Sequence, residues 1–323
     1  QARFEDRTLA TREKVIADIR ATMRPRVQEL AQKTVEETGM GRVADKVLKL
    51  NLTLDKTPGV EDLVTECETG DNGMTLYELS AYGVIGAITP STNPAETLIC
   101  NTIGMLAAGN AVFFSVHPGA KHLSRLLVSE LNQIIAKSIG IENLIVTLRE
   151  PSIESAQEMM LHPDVSLLVV TGGPGVVKQA LQSGKKVIGA GAGNPPAFVD
   201  ETADIKKAAQ DIVLGASLDN NILCIAEKSV VAMRQIEPQL VQEMVKAGCA
   251  LIDNQQDIQR LVDLTVLPNG TPNKKFVGKN ASVILDAAHI PYNGDPRLII
   301  MRTPKDHPFA VIEMLMPTCC NGR

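Results

Sequence analysis

The sequence contains no tryptophan, and aromatic residues make up only 3% of its 323 residues. Proteins that bind single-stranded nucleic acids stack the bases on aromatic side chains, so this composition disfavours that class. The net charge is −5, and the Lys and Arg residues are scattered rather than clustered. We therefore expect neither nucleic acid nor an anionic membrane surface as a partner.

Long apolar runs are also absent, since none reaches the roughly 18 to 20 residues that a membrane span needs. The first residues, Q-A-R-F-E-D-R, do not resemble a signal peptide. The six cysteines form no C-x-x-C pair, and the five histidines show no metal-ligand spacing, which disfavours a disulfide framework and a metal site. With 44% hydrophobic residues, the chain is predicted to be a soluble, intracellular globular protein.

The chain alternates between helical and strand-like patterns. Residues 8–38 have apolar positions at helical spacing with a break near Pro25, and residues 51–76 are predicted to be irregular. From Tyr82 onward, short apolar runs alternate with helical stretches. These runs begin at Gly83, Ala111, Asn143, Val165, Lys186 and Ala197. Continuous apolar strands separated by helices indicate a parallel sheet covered on both faces.

The predicted fold is therefore α/β, with a doubly wound parallel sheet. We expect three segments. Residues 1–76 would form N-terminal helices and a crossing segment that pack on the following domain, and residues 77–218 would form the doubly wound domain. Residues 219–323 would form a second α/β domain that starts with a strand near Lys228.

Cys224 has an unusual position among the cysteines. It lies between the polar turn Asp219-Asn220-Asn221 and a Val-rich strand. A reactive thiol needs such a partly exposed, polar position, whereas a packing cysteine does not. Cys67, Cys100 and Cys249 have apolar or helical neighbours and are predicted to be packing residues, and the pair Cys319-Cys320 suggests no role.

Three further motifs follow predicted strands. T-G-G-P-G from Thr171 is either a phosphate-binding turn or a plain tight turn. G-A-G-A-G from Gly189 would let a ligand approach the backbone closely. Asn93 lies between two prolines and is either a helix cap or an oriented amide donor.

Taken in chain order, these motifs and H-P-F-A-V-I-E-M-L-M-P from His307 resemble the aldehyde dehydrogenase superfamily. Several stretches are similar to its CoA-acylating branch, which includes the propionaldehyde and acetaldehyde dehydrogenases of propanediol and ethanolamine microcompartments. They are E-T-G-M-G-R-V, T-P-S-T-N-P, V-V-T-G-G, G-A-G-A-G-N-P-P, D-N-N-I-L-C and H-P-F-A. The family continues well beyond the position of Pro317, so we expect part of the catalytic domain to be missing from this chain.

The resemblance implies that residues 77–218 are the dinucleotide- and CoA-binding domain and residues 219–323 the incomplete catalytic domain. It also implies a role for each matching residue. Cys224 would be the nucleophile, and Asn93 with the Cys224 N–H would form the oxyanion hole. The residues implied in cofactor binding are Thr89 and Pro90 beside the nicotinamide, Ser115 and His117 at the adenosine ribose, Gly172 and Gly173 at the pyrophosphate, Gly191 in the small-residue stretch, and Glu313 at the nicotinamide ribose. Ser115 stands where hydrolytic relatives carry a ribose-binding lysine, so the choice between NAD and NADP stays open here.

One departure from the hydrolytic relatives concerns Ala190. It stands where those relatives carry a glutamate general base, and without a base, water is poorly activated against an acyl-enzyme. The resemblance therefore implies NAD-dependent oxidation of a short aldehyde, propanal by preference, with acyl transfer to coenzyme A. It also implies a homo-oligomer in the bacterial cytoplasm, inside a microcompartment and in contact with its shell proteins. The alternatives are a semialdehyde or acyl-phosphate reductase, or an inactive truncated scaffold.

Overall fold

Two five-stranded parallel sheets and one two-stranded hairpin organise the chain, which the computed structural model describes over residues 1–322. The chain divides into two compact units. The first unit comprises Gln1–Thr38 and Val47–Gly191, and the second comprises Gly39–Lys46 and Ala192–Arg323. Within residues 1–322, no helix is both long and apolar enough to cross a membrane.

The N-terminal segment is helical, as its periodicity predicts. Its helices are α1 (Ala2–Glu5), α2 (Leu9–Met23), α3 (Val27–Thr38) and α4 (Val43–Lys56). Thr8 caps α2 by accepting a hydrogen bond from the Thr11 N–H at 3.3 Å, and the predicted break at Pro25 is a 3₁₀ turn. Irregular structure over residues 51–76 was a wrong prediction, because α4 extends to Lys56 and a hairpin follows.

The hairpin pairs β1 (Glu66–Gly70) with β2 (Gly73–Tyr77) in antiparallel register. Every residue of both strands is exposed, so no apolar face has to alternate with a polar one. A strand with two solvated faces carries no period-2 signal, which explains why its sequence predicts irregular structure.

The first unit is built around a sheet with strand order β5-β4-β3-β6-β7. Its strands are β3 (Val84–Thr89), β4 (Ala111–Val116), β5 (Ile145–Thr147), β6 (Val165–Thr171) and β7 (Lys186–Ala190). Its helices are α5 (Pro94–Ala107), α6 (Lys121–Ile139), α7 (Ile153–Leu161) and α8 (Pro174–Leu181). This order reverses between β3 and β6, and open α/β sheets bind their ligands at such a switch point.

The second unit contains a parallel sheet with strand order β10-β11-β12-β9-β8. The strands are β8 (Pro196–Val199), β9 (Ser229–Ala232), β10 (Cys249–Ile252), β11 (Leu298–Thr303) and β12 (Thr318–Gly322). The helices are α9 (Ile205–Ser217), α10 (Glu237–Lys246), α11 (Gln255–Thr265), α12 (Ala281–Ala287) and α13 (Pro308–Val311). Strand β11 is buried on both faces, with Leu298 and Ile300 in one core and Ile299 and Met301 in the other.

These observations confirm the predicted α/β fold and its doubly wound parallel sheet, and the sheet of the second unit is parallel too. The division expected between residues 218 and 219 falls earlier in the structure, between 191 and 192. The reason is β8, which pairs with β9 from Pro196↔Ser229 to Val199↔Ala232 and so brings α9 into the second unit. A cofactor-binding role for the first unit and a catalytic role for the second stay predictions.

Candidate active site

The seven cofactor-binding residues predicted before residue 192 all lie at one edge of the first sheet. Thr89 ends β3, Ser115 lies near the end of β4, and Gly172 directly follows β6. Pro90, His117, Gly173 and Gly191 follow the same strands or β7. Because the carboxyl ends of parallel strands share an edge, the fold brings together residues that the sequence separates widely.

The turn after β6 contains Gly172 and Gly173, whose surroundings differ. A Cβ on Gly172 would lie 2.7 Å from Cγ1 of Val176, so a larger residue does not fit there. The Gly172 N–H donates to the Ala190 carbonyl at 3.1 Å, which joins the turn to the end of β7. Gly173 is the N-cap of α8, and no heavy atom lies within 4 Å of a Cβ added to it. Open backbone at a helix N-terminus suits a phosphate.

Thr89 and His117, at the same edge, differ in their hydrogen bonding. Thr89 is buried, and its Oγ1 has no hydrogen-bond partner among residues 1–322. A buried hydroxyl in that state is a candidate for a ligand contact. His117 caps the 3₁₀ turn that follows β4, because its Nδ1 accepts the Gly119 N–H at 3.0 Å. Thr89 therefore offers a hydroxyl to a ligand, whereas Nδ1 of His117 is engaged by the local backbone.

Asn93 is the N-cap of α5, but its side chain makes no capping hydrogen bond. Instead its Oδ1 accepts a hydrogen bond from Nζ of Lys49, which also forms a 3.1 Å ion pair with Glu96. An ammonium donates only, so Lys49 fixes the carbonyl end of the amide and directs the NH₂ end the other way. That NH₂ is 3.3 Å from Oγ1 of Thr92. The structure thus favours the oriented-donor interpretation over the helix cap.

In the second unit, three consecutive residues adopt left-handed backbone conformations, and the last of them lies three positions before Cys224. Asp219, Asn220 and Asn221 have φ of 50°, 57° and 60°. Asn and Asp tolerate this region better than other residues with a Cβ, which explains the D-N-N sequence. All three are fully buried. Backbone held in a sparsely populated region persists only when its surroundings fix it.

Residues from the segment 39–46 hold Asp219 in place. Its carboxylate accepts the Arg42 backbone N–H at 2.8 Å and Nζ of Lys46 at 2.9 Å, and Lys46 and Asp219 are both fully buried. The Asp219 N–H in turn donates to the carboxylate of Asp45 at 2.9 Å. Sequence reasoning missed Lys46. The sequence does contain a sign of its burial, because Lys46 is spaced by four residues from Leu50 and by eight from Leu54, which places it on their buried helix face.

Cys224 is partly exposed and lies against Gly193, the last residue of the small-residue stretch. A Cβ on Gly193 would lie 2.3 Å from the Cys224 carbonyl oxygen, so the small-residue stretch and the cysteine backbone are in direct contact. The pKa of Glu313 is raised by burial, while a backbone hydrogen bond from Gly193 and the charge of Lys228 oppose that rise. Oε1 of Glu313 is buried and has no hydrogen-bond partner in the part of the chain that the structure describes. A free acceptor of this kind fits a sugar hydroxyl.

The other cysteines of the second unit differ from Cys224. Cys249 and Cys320 are buried, and burial raises their thiol pKa to about 12 and about 11. Burial also raises the pKa of Cys319. A thiol that stays protonated is a poor nucleophile, so the three are packing residues. For Cys67 and Cys100 the packing prediction was wrong, since both are exposed in the first unit.

Comparison with known proteins agrees with this geometry. A model of the aldehyde dehydrogenase family matches residues 1–269. The propanal dehydrogenase (CoA-propanoylating) of Salmonella typhimurium is 50% identical over 316 residues, which cover 98% of this chain and 68% of that protein. The chain therefore belongs to the aldehyde dehydrogenase family, and the predicted membership is confirmed.

Solved structures give the same result. The propionaldehyde dehydrogenase of Rhodopseudomonas palustris with bound propionyl-CoA has a TM-score of 0.95 at 47% identity, covering 100% of this chain and 72% of its own. A propionaldehyde dehydrogenase from the fucose utilisation microcompartment of Clostridium phytofermentans has a TM-score of 0.94 at 46% identity, covering 99% and 73%. Both neighbours are propionaldehyde dehydrogenases, and the first of them holds propionyl-CoA.

Proposed function

We propose that the protein oxidises a short aliphatic aldehyde, propanal by preference, with NAD as hydride acceptor, and transfers the acyl group from Cys224 to coenzyme A. The observation that carries this proposal is the partly exposed Cys224 at the end of the D-N-N turn, in contact with Gly193. Its support includes the relative named propanal dehydrogenase (CoA-propanoylating) and a Rhodopseudomonas palustris structure with bound CoA and an acylated cysteine.

Cys224 acts as the nucleophile. Its thiolate sulfur forms a bond to the aldehyde carbonyl carbon, and the negative charge passes to the carbonyl oxygen. The roles proposed for the Asn93 amide and the Cys224 N–H are to donate hydrogen bonds to that oxyanion. Lys49 supports the first role, because it holds the carbonyl end of Asn93 and leaves the NH₂ end to donate.

The residues at the edge of the first sheet and Glu313 are the proposed cofactor contacts. The open backbone at Gly173 suits the pyrophosphate, and Gly172 is proposed to let the pyrophosphate approach the same turn. The free Thr89 hydroxyl suits a polar group of the dinucleotide, and the free oxygen of Glu313 suits a ribose hydroxyl. When bound, the nicotinamide takes the hydride that turns the adduct into a thioester, and the CoA thiol takes the acyl group. An NADP-bound structure of an engineered glycolyl-CoA reductase, 46% identical, makes NADP the competitor to test.

Ala190 explains why CoA rather than water is the acceptor. It ends β7, it is exposed, and its side chain carries no group that can take a proton. A CoA thiol needs less activation than water, because it can attack as a thiolate. We further propose that the protein works in the bacterial cytoplasm inside a microcompartment, like the Clostridium phytofermentans neighbour. A homo-oligomer and contact with shell proteins stay predictions.

NADH formation from propanal, followed with and without CoA, tests the proposal. With CoA, turnover is continuous. Without CoA, about one NADH per Cys224 forms in a burst and turnover then stops, because the thioester persists. Ala190→Glu should introduce CoA-independent turnover, because a glutamate can act as a base. Ala190→Gln has a side chain of the same size but no base, and it should not introduce this turnover.

Each other outcome contradicts one part of the proposal. Steady CoA-independent turnover by the unmutated chain would mean that a different base activates water. Turnover with phosphate or NADPH and none with CoA would indicate the semialdehyde or acyl-phosphate reductase. Dinucleotide binding without any burst would indicate an inactive scaffold.

A further inference from the structure

Lys228 is a buried lysine that none of the roles above uses. It lies four residues after Cys224, directly before β9, and only 3% of its surface is exposed. Its backbone N–H donates to the Pro195 carbonyl at 2.9 Å, two residues beyond Gly193. The lysine is thereby anchored between the small-residue stretch and the cysteine turn.

The ammonium group of Lys228 uses all three of its donors on the residues that precede Cys224. Nζ is 2.8 Å from the Asn221 carbonyl and 2.7 Å from the Leu223 carbonyl, and it also donates to Oδ1 of Asn221. A neutral amine has only two N–H donors and would leave one of these acceptors unpaired. The geometry therefore matches the charged form.

The charge of Lys228 is not neutralised by a direct ion pair. Within residues 1–322, no carboxylate forms a salt bridge with its Nζ. Burial lowers the pKa of Lys228 to about 8, while Glu313, Cys224, Cys319 and Glu227 act electrostatically in the opposite direction. At pH 7 the ammonium still outnumbers the amine by about ten to one. A desolvated cation of this kind favours a nearby anion.

We propose that Lys228 is a positioning residue for Cys224. Two of its hydrogen bonds hold the backbone carbonyls of Asn221 and Leu223, the third holds the Asn221 side chain, and its buried charge stabilises the thiolate of Cys224. The proposal deepens the role of Cys224 as nucleophile and rests on that proposed function. Under this proposal, the charge of Lys228 stabilises the Cys224 thiolate, a role that a histidine or another general base would otherwise fill.

The test measures the rate at which iodoacetamide alkylates Cys224 in the full chain from pH 6 to pH 10, by mass spectrometry of the Cys224 peptide. Lys228→Met is expected to move the midpoint of this profile upward by about one pH unit, so that alkylation at pH 7 slows about tenfold. Lys246→Met is the matched control, because Lys246 is an exposed lysine of the same unit. The exposed Cys67 and Cys100 are internal controls, because their alkylation rates at each pH should be the same in all variants.

A second variant keeps the proposal testable if Lys228→Met does not fold. Lys228→Gln retains two N–H donors for the backbone carbonyls but carries no charge. An upward shift of the Cys224 profile with Gln supports the proposal, and partial recovery with Lys228→Arg supports it further. An unchanged profile in a folded Met or Gln variant would overturn it. Because alkylation needs neither NAD nor CoA, failure of the proposed function would appear separately, as a missing NADH burst.

Discussion

Gly193→Ala is the substitution whose effect the structure defines most sharply. The added Cβ would lie 2.3 Å from the carbonyl oxygen of Cys224, 3.3 Å from its carbonyl carbon and 3.6 Å from its Cβ. Since Cβ contacts under 3.0 Å essentially never occur, the alanine and the nucleophile backbone must separate by about 0.7 Å. The atoms that have to move are backbone, so no flexible side chain can absorb the change.

This displacement has two expected consequences. Misplacing reacting groups by about 1 Å can cost about 10²-fold in rate, so kcat with propanal, NAD and CoA should fall by about 10- to 100-fold. Overpacking should also lower the free energy of unfolding by about 1–3 kcal/mol. The burst of NADH without CoA should slow by the same factor as kcat, because the displaced group is the nucleophile itself.

Steady-state kinetics, burst amplitude and thermal unfolding of the same preparation measure these effects. Gly104→Ala is the matched control, since Gly104 lies within helix α5 and no heavy atom lies within 4 Å of its added Cβ. That control should keep wild-type turnover and gain about 0.5–1 kcal/mol of stability. Wild-type turnover in folded Gly193→Ala would show that the contact with Cys224 does not fix the nucleophile, and the reasoning would be refuted.

The remaining predictions concern single side chains. Cys224→Ser should abolish NADH formation and leave dinucleotide affinity unchanged in a fluorescence titration, because no base activates a serine there; substantial residual turnover contradicts the nucleophile. Asn93→Ala should lower kcat by about 10²–10³-fold, whereas a loss confined to the melting temperature would favour a helix-start role. Glu313→Gln should slow single-turnover hydride transfer more than it weakens binding, and an unchanged rate would place Glu313 outside the cofactor site. The pKa of Lys228 is lowered from 10.5 to about 8. The contribution of Lys228 to the free energy of unfolding therefore increases as the pH rises from about 8 to 10.5, because in this range the folded chain has lost the Lys228 proton and the unfolded chain has kept it. The contribution is lost as the pH falls through about 8. Urea unfolding at pH 8 and pH 10 should show a smaller increase for Lys228→Met than for Lys246→Met.

The first sheet was largely predictable from the sequence because its strands are short apolar runs between helices. β4 and β6 begin at the predicted residues, Ala111 and Val165. Sheet membership was not predictable in the same way. β8 looks like a sixth strand of the first sheet, and only its pairing with β9 assigns it to the second. Periodicity describes the environment of a strand but not its partner.

The candidate site could be proposed from the sequence where a motif marks it, but not where it depends on a single buried charge. Cys224 and Asn93 are recognisable from their neighbours in sequence. Lys49 and Lys228 are ordinary lysines in the sequence, and their importance comes from acceptors that the fold brings to them. Such roles depend on tertiary distances, which composition and spacing do not contain.

The hydrogen bond between Lys46 and Asp219 also bears on how the protein folds. It joins residues 173 positions apart, and it supports three left-handed residues that the local sequence alone would not hold. Contacts between distant residues form late, because the entropy of closing a long loop is lost before the contact stabilises anything. We therefore expect the backbone before Cys224 to reach its final conformation late in folding, once the segment 39–46 has docked.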